Sequence, residues 1–365
     1  MSEVLFIVQL PPPIHGAALR NEFLASSKLL NQEFNITILP LRFAKDVKDI
    51  GRTSVLKLAK MIVFCFKLVY QLIFHRPDMV YYNFAVNGVA FYRDVFYTAI
   101  IKLFRVKRTY HLRTQGVNNQ CAKSIILKFL FRFAFKNTKL ICLSNYLALD
   151  VESVYRENPL IIENGINLEV SDEEIKAKKK SDTVRFVYLS NLTKSKGIIE
   201  LIEALILLKQ ENLNFSLKIS GPEYDISANE IRNIVKEKGL SNKVEIKGPV
   251  YGKEKFEIFL SSDIFVFPTW FEAFPAVVLE AMQCELPVIS TREGAIPEII
   301  NDGKTGFIVD PKNSIQLAEK MKVLLLDKDL RLSMGIAGRK KFLKQYTSDL
   351  FEIRMANAFK KQLAN

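Results

Sequence analysis

The chain has 365 residues, more than one hydrophobic core usually serves, which excludes a single small module and predicts two domains of roughly 150 to 200 residues each. Apolar residues make up 49% and charged residues 25%, a composition that excludes a disordered or collagen-like chain. The net charge is +13 at pH 7, and the excess lies in one basic block, residues 41–140, where 19 Lys and Arg residues accompany four Asp residues.

The amino terminus is predicted to form a first strand, residues 4–10, because MSEVLFIVQLPPP has neither the basic leader nor the cleavage site of a signal peptide. The four cysteines form no CxxC pair and no zinc-type cluster, which predicts free thiols and a cytoplasmic location. The loop after the strand lacks a GxGxxG fingerprint, which argues against a nicotinamide dinucleotide site. Gly16 in this loop permits close backbone approach at a helix start, whereas His15 is either a site residue or an ordinary loop residue.

Two stretches of the basic block alternate basic and apolar residues. They are KLAKMIVFCFKLVYQLIF and SIILKFLFRFAFK, and in the second Lys128, Arg132 and Lys136 recur every four residues on one helical face. Each is predicted to be either an amphipathic helix that rests on anionic lipid or a core helix with a solvated basic face, and the charge excess favours lipid. The nearly uncharged run 61–74 is too short to span a bilayer. Nucleic acid is not expected, since RNA-binding aromatic patterns and zinc-finger spacings are missing.

Apolar runs of strand length alternate with longer helical patterns along the chain, which predicts parallel sheets built from βαβ units. The predicted strands of the first half are 4–10, 35–39, 79–82, 108–112 and 140–143. After SDEEIKAKKKSD, a predicted linker or exposed helix, those of the second half are 184–189, 215–219, 243–247, 264–267, 287–290 and 306–309. We therefore predict an α/β fold of two tandem Rossmann-like doubly wound domains that face a cleft, with ligands beyond the carboxyl ends of the strands.

Several residues that follow predicted strands are candidates for the site. His111 lies at the end of strand 108–112, where it could orient a sugar or hydroxyl, or could be a buried structural histidine. Ser144 and the pair Asn164-Gly165 are predicted to be structural, the pair as a turn into the interdomain connection. In YLSNLTKSKGIIELIEAL, Lys196 lies where a helix opens and could face the cleft, or could simply be solvated.

The most informative segment is DIFVFPTWFEAFPAVVLEAMQCELPVISTREGAIPEII, which begins at Asp263. A loop carries Glu272, Pro275 marks a helix start, and Glu280 falls about one and a half turns into that helix. The helix start offers unpaired N–H groups to a diphosphate, and carboxylates can accept hydrogen bonds from sugar hydroxyls. This arrangement suits a nucleotide sugar, although Glu272 could merely favour the helix dipole and Glu280 could be a surface residue.

This segment resembles the donor-binding region of the retaining glycosyltransferases of family four, which have the two-domain GT-B fold. The resemblance lies in the Glu-x7-Glu pattern of Glu272 and Glu280, in the EAMQCELPVIS that follows, and in the glycines and Ile-Pro-Glu of residues 294–306. It implies that Glu272 lies near the donor sugar and that Glu280 holds the ribose. It also implies that Phe274 and Ala276, which lie between the two glutamates in the sequence, bind the donor.

Upstream, the resemblance continues to the family's Gly-Arg-Leu-x3-Lys-Gly element, whose Arg and Lys neutralise the donor diphosphate. Lys196 matches the lysine, but Asn191 occupies the arginine position and Ser190 that of the preceding glycine. Only one of the two expected cations is therefore present. Either Lys194 or another basic residue substitutes, or Asn191 lies beside a diphosphate that is held less tightly.

The resemblance assigns catalysis to Glu272, Lys196 and His111, and a phosphate-facing loop to Gly16. It implies no metal and no resident cofactor, because basic side chains and a helix start can stabilise the leaving diphosphate. The one Asp-x-Asp, residues 327–329, lies in a charged helix-loop pattern where metal binding is not expected.

The resemblance divides the chain into an acceptor-binding domain, 1–168, a nucleotide-sugar-binding domain, 169–345, and a helix, 346–365, that packs back across both. It implies transfer of a sugar, with retention, from a nucleotide-diphosphate donor, expected to be a UDP-sugar, to an acceptor hydroxyl. The basic block favours a lipid-linked saccharide acceptor at the inner face of the plasma membrane, as in bacterial lipopolysaccharide or capsule synthesis. The alternatives are a nucleotide-sugar epimerase of the same fold and a catalytically idle membrane scaffold, for which Asn191 is the best evidence.

Overall fold

The computed structural model describes residues 1–12, 16–43, 55–178 and 181–364, with side chains of the third helix from residue 57. The chain divides into two compact units, each with its own sheet and core. The first unit comprises Met1–Asn164 together with Asp349–Asn365, and the second comprises Gly165–Ser348. All four cysteines are free thiols, as predicted.

The first unit is built on a six-stranded parallel sheet. Its strands are β1 (Ser2–Val8), β2 (Phe34–Pro40), β3 (Met79–Asn83), β4 (Lys107–Leu112), β5 (Lys139–Cys142) and β6 (Leu160–Ile161). They lie in the order β2-β1-β3-β4-β5-β6. The five predicted strands are confirmed, whereas β6 was not predicted because only two residues pair with β5, too few for a pattern.

Eight helices belong to this unit in the described ranges. They are α1 (Gly16–Ala25), α2 (Lys28–Glu33), α3 (Val55–Tyr70), α4 (Gly88–Leu103), α5 (Val117–Lys123), α6 (Ile125–Phe135), α7 (Asn145–Leu149) and the last helix of the chain, α16 (Ser348–Ala364). A π-helical turn, Gln71–His75, extends α3. Ser144 caps α7 by accepting a hydrogen bond from Leu147 N at 3.1 Å, the structural role expected of it.

Helices cover both faces of the first sheet. On one face α3, α4 and α6 pack side by side, with the ring of Phe64 stacked on Tyr97 at 4.7 Å and that of Phe91 against Phe131 at 4.3 Å. On the other face, α16 buries apolar side chains, Phe359 among them, against β1 and β3. The sheet is thus covered on both sides, as an all-parallel sheet requires.

The second unit repeats this plan. Its strands are β7 (Val184–Leu189), β8 (Phe215–Ser220), β9 (Val244–Lys247), β10 (Ile264–Phe267), β11 (Val288–Thr291) and β12 (Gly306–Val309), in the parallel order β12-β11-β10-β7-β8-β9. Its helices are α8 (Asp172–Lys176), α9 (Ile198–Gln210), α10 (Ala228–Glu237), α11 (Gly252–Leu260), α12 (Ala276–Gln283), α13 (Ile296–Ile299), α14 (Ser314–Leu326) and α15 (Lys328–Gln345). The predicted α/β class with two tandem doubly wound sheets is therefore confirmed.

Candidate functional site

The candidate site of the second unit is built on two neighbouring strands. Because β7 and β10 are adjacent and parallel, the segments that follow them leave the sheet at the same edge. A single 3₁₀ turn, Lys194–Lys196, follows β7. The carbonyl of Ser195 in this turn accepts hydrogen bonds from Trp270 N at 2.8 Å and from Thr269 Oγ1 at 3.3 Å. The two loops are therefore fastened together.

Gly197 makes this close approach possible. It has a φ of +75°, and an added Cβ would lie 2.0 Å from the carbonyl oxygen of Pro268. A side chain would thus meet backbone as well as an unfavourable conformation. The glycine fixes where the preceding residue, Lys196, stands.

Lys196 and Glu272 form an ion pair between these loops. Lys196 Nζ lies 2.7 Å from Glu272 Oε2 and donates to the carbonyl of Phe271 at 3.0 Å. The two side chains are 20% and 21% exposed, so the pair is partly shielded yet reachable from solvent. The structure thus brings together two residues that the sequence assigned to one site.

A third loop holds the backbone of Glu272. Gly294, after β11, has a φ of +52°, and an added Cβ would lie 2.2 Å from the Glu272 carbonyl oxygen. Ala295 N donates to the carbonyl of Ala273 at 2.8 Å, and Glu272 Oε1 accepts from Ala273 N at 3.0 Å. Loops that follow three neighbouring strands of the sheet, β7, β10 and β11, therefore position one carboxylate.

Glu280 lies on α12, whose N-cap is Pro275, a residue without a side-chain hydrogen-bond acceptor. Glu280 Oε1 lies 2.5 Å from Lys255 Nζ on α11, and the glutamate is only 16% exposed. Glu280 is therefore a paired and largely buried carboxylate, not a solvated surface residue. Lys255 was not predicted, because nothing in the pattern of α11 marks which of its lysines faces α12.

The other predicted donor-binding residues have different environments. Asn191 is exposed, and its carbonyl accepts from Thr193 N at 2.9 Å. Lys194 is also exposed. Phe274 is buried, with its ring 6.2 Å from that of Tyr346, so its side chain serves packing. Ala276 is the first residue of α12.

His111 is fully buried in the first unit, at the carboxyl end of β4. Its Nδ1 lies 2.8 Å from the hydroxyl of Tyr81, while its Nε2 has no hydrogen-bond partner in the described part of the chain. Burial, and secondly the charge of Arg113, hold the pKa of His111 well below the ordinary 6.5, so the ring is neutral at pH 7. A neutral imidazole can exchange one hydrogen bond with a ligand but supplies no positive charge.

Arg113, two residues after His111, was missed by the sequence analysis. It donates to Asn164 Oδ1 at 2.8 Å and to the hydroxyl of Tyr81 at 3.4 Å, so it links the end of β4 to the residue at which the chain leaves the first unit. Gly16 is the first residue of α1, and an added Cβ would meet nothing within 4 Å. His15 lies outside the described residues.

Asp327 serves as a helix cap. Its Oδ1 accepts from Leu330 N at 2.9 Å at the start of α15. Within residues 1–12, 16–43, 55–178 and 181–364, no three His, Cys, Asp or Glu side chains are grouped to hold a metal ion.

We call the exposed apolar side chains of α3, its π-helical turn, α4 and α6 the apolar face. Its exposed side chains are Leu58, Ile62, Val63, Phe66, Tyr70, Ile73, Phe74, Val89, Tyr92, Phe96, Leu103, Ile125, Ile126 and Phe129. By length and composition alone, the helix Lys57–His75 could cross a membrane, and it is longer than the predicted run 61–74. Its inner side chains Phe64, Leu68 and Leu72 are nevertheless buried in the core of the first unit.

Comparison with known proteins points to one group of enzymes. Residues 170–341, which include both lysine–glutamate pairs, match the family described as glycosyl transferases group 1. An uncharacterized glycosyltransferase of Methanocaldococcus jannaschii is 30% identical over 225 residues, 61% of this chain and 60% of the relative. The capsular polysaccharide biosynthesis glycosyltransferase CapM of Staphylococcus aureus is 28% identical over 244 residues, 61% of this chain and 63% of the relative. The chain thus spans about three fifths of the length of these two curated relatives.

Solved structures resemble the whole chain. Sucrose-phosphate synthase of Thermosynechococcus elongatus aligns over 100% of both chains with a TM-score of 0.75 and 17% identity. Anabaena HepE in complex with UDP aligns over 99% of this chain and 100% of its own, also with a TM-score of 0.75 and 17% identity. At such identities the likeness shows the fold alone, which is the two-domain α/β architecture called GT-B.

Proposed function

We propose that this chain is a glycosyltransferase that moves a sugar from a nucleotide-diphosphate donor to an acceptor hydroxyl. The observation that carries the proposal is the ion pair of Lys196 and Glu272, held at the carboxyl edge of the second sheet by loops from three strands. It lies within the segment that matches group 1 glycosyltransferases. A cation beside a carboxylate suits a ligand that carries both a diphosphate and sugar hydroxyls.

Lys196 and Glu272 exchange partners in the proposed reaction. The ammonium turns from the carboxylate to the diphosphate and stabilises the charge that develops as the bond from the anomeric carbon to the diphosphate breaks. Glu272 then accepts a hydrogen bond from the donor sugar. The acceptor oxygen forms the new bond on the same face, with retention, and its proton passes to the leaving diphosphate.

The second pair, Lys255 and Glu280, supports binding of the nucleoside. A carboxylate that is 16% exposed and held at 2.5 Å by a lysine has a fixed orientation. We propose that Glu280 accepts hydrogen bonds from the ribose hydroxyls and that Lys255 positions it. UDP is the nucleotide we propose, a choice supported by the UDP bound to the structurally similar HepE.

We further propose a lipid-linked saccharide acceptor at the cytoplasmic face of the plasma membrane, in the assembly of a bacterial surface polysaccharide. The name of the relative CapM supports capsule synthesis as the setting. The apolar face supports a membrane surface as partner, since large exposed apolar patches mark interaction sites. Because α3 has its inner side buried in the core, the proposed mode is resting on the bilayer, not crossing it.

The decisive experiment is a transfer assay on Lys196→Met. Removal of one charge-stabilising donor lowers kcat by about 100-fold or more. The matched control is Lys322→Met, which breaks the ion pair of Lys322 with Glu211 near the far end of α9 and is expected to keep full activity. Equal activity of both variants would contradict the proposed role of the site.

The same assay separates the two alternatives. An epimerase interconverts the donor sugar without an acceptor, whereas a transferase releases nucleoside diphosphate in proportion to acceptor. Asn191, which occupies the arginine position of the element that the sequence resembles, favours an idle scaffold as the second candidate. A scaffold would give no turnover with any nucleotide sugar.

A further inference from the structure

We propose that a basic pocket in the first unit binds the phosphate of an anionic lipid headgroup, an inference that rests on the membrane surface proposed above. The pocket has a volume of about 610 Å³ and lies where α4 and α6 end. Five cationic side chains line it, namely Lys102, Arg105, Lys107, Arg108 and Lys136. Such a set of ammonium and guanidinium groups is suited to a phosphate.

No carboxylate balances these charges in the part of the chain that the structure describes. The lysines and arginine that do have partners donate to backbone carbonyls and, from Arg108 Nε, to the hydroxyl of Thr138 at 3.3 Å. Lys102 Nζ donates to the carbonyl of Lys136 at 3.0 Å, and Lys107 Nζ to that of Leu363 at 2.6 Å. Arg108 donates to two further carbonyls, each at 2.8 Å. Carbonyl dipoles hold the side chains in place but leave the positive charge uncompensated.

The charged form of Lys102 is destabilised in this pocket. Its burial, together with the charges of Arg108 and Lys136, lowers its pKa to about 8. A bound anion would reverse the second effect, because an opposite charge within the pocket favours the protonated amine. Binding of an anionic ligand would therefore stabilise the charged side chains of the pocket.

The position of the pocket favours an anion that arrives with a lipid. Leu103, 80% exposed, and Phe104, 38% exposed, lie in the sequence between two lining cations, Lys102 and Arg105. Their side chains extend the apolar face to the pocket. The pocket is at the amino ends of β4 and β5, whereas His111 lies near the carboxyl end of β4. It is thus separate from His111, the candidate residue of the reaction in this unit.

The test is sedimentation with vesicles of phosphatidylglycerol and phosphatidylcholine, using the double variant Arg105→Asn/Lys136→Asn. Both side chains are exposed, and asparagine tolerates the φ of +54° at Arg105, so folding is preserved. At about 1 kcal/mol per basic residue near the surface, the variant should bind roughly 25-fold more weakly. The control Lys340→Asn/Lys344→Asn removes the same charge from exposed positions of α15 and should bind as the parent does.

An equal loss in both double variants, or none in the pocket variant, would overturn the proposal. A second arm measures thermal stabilisation by inorganic phosphate without vesicles. Stabilisation of the parent but not the pocket variant, with vesicle binding unaffected, would reassign the pocket to a soluble phosphate. Failure here is distinct from failure of the proposed reaction, since sugar transfer is measured on Lys196→Met and headgroup binding is measured without donor.

Discussion

The interior of the first unit disfavours the protonated, positively charged form of His111. The imidazole has no exposure, accepts or donates one hydrogen bond with Tyr81, and lies near the guanidinium of Arg113. When the unit unfolds, the ring regains water and its ordinary pKa of about 6.5. At a pH between the lowered pKa of the folded state and the ordinary pKa of the unfolded state, only the unfolded state binds the proton. Acid therefore favours unfolding.

We therefore predict that His111 makes the protein less stable as the pH falls below about 6.5, by up to about 1.4 kcal/mol for each pH unit. His111→Asn keeps a hydrogen-bonding partner for Tyr81 but cannot titrate. In urea denaturation at pH 7.5, 6.5 and 5.5, the stability advantage of the parent over the variant should shrink with acid. The exposed His75→Asn is the control for the loss of an imidazole elsewhere in the same unit. A constant difference for His111→Asn would show that the buried ring does not resist protonation.

Individual site residues differ in how far the sequence could predict them. Lys196 and Glu272 follow different strands. The rule that ligands bind at the carboxyl ends of parallel strands made both residues candidates, and the family resemblance assigned them to one site. Lys255 was not predicted, because the packing of α11 against α12 decides which lysine pairs with Glu280. The position of His111 at a strand end was predictable, but its complete burial depends on how the side chains around β4 pack in three dimensions.

On the scale of elements, α3 has two sides with opposite roles. Leu68 has no exposure, whereas Phe66, on the same helix, is 72% exposed. Such a division follows from the 3.6-residue period, which sends residues two apart to nearly opposite faces. It predicts that mutations on the two sides separate stability from membrane binding.

Phe66→Ser should leave the free energy of unfolding nearly unchanged and weaken binding to anionic vesicles roughly 10- to 100-fold, because burying a phenylalanine side chain contributes about 1.5 to 3 kcal/mol. Leu68→Ala should cost about 2 to 5 kcal/mol of stability through the cavity it leaves. Vesicle sedimentation and urea denaturation of both variants provide the two measurements. A Phe66→Ser variant that binds vesicles like the parent would remove α3 from the proposed surface.

The strands were predictable to within about two residues because all-parallel strands, buried on both faces, form continuous apolar runs bounded by polar segments. The exposed side of α3 was less predictable than the strands. Its basic and apolar residues fit a core helix and an interfacial helix equally well, and only the side chains packed beneath it decide which residues remain outside. The charge of the basic block indicated an anionic partner, but not the pocket formed where α4 and α6 end.

On the scale of the whole molecule, the chain leaves the first unit at Asn164, builds the second unit, and returns with α16. Phe359 of this helix is fully buried, with its ring 5.8 Å from Phe6, 5.8 Å from Phe34 and 5.3 Å from Tyr81. The core of the first unit is therefore completed by the last segment of the chain. A change at the carboxyl terminus should act on the amino-terminal sheet.

Phe359→Ala should destabilise the first unit by about 3 to 5 kcal/mol, since it removes a buried aromatic ring from a close-packed core. Hydrogen exchange read by mass spectrometry is the suitable measurement, because it reports each sheet separately. Amides of β1 and β3 should exchange faster in the variant, while those of β7 and β10 keep the protection they have in the parent. Lys361→Ala, at an exposed position of the same helix, should change neither sheet. Equal loss of protection in both sheets would mean that α16 supports the second unit as strongly as the first, against the packing of its aromatic side chain on β1 and β3.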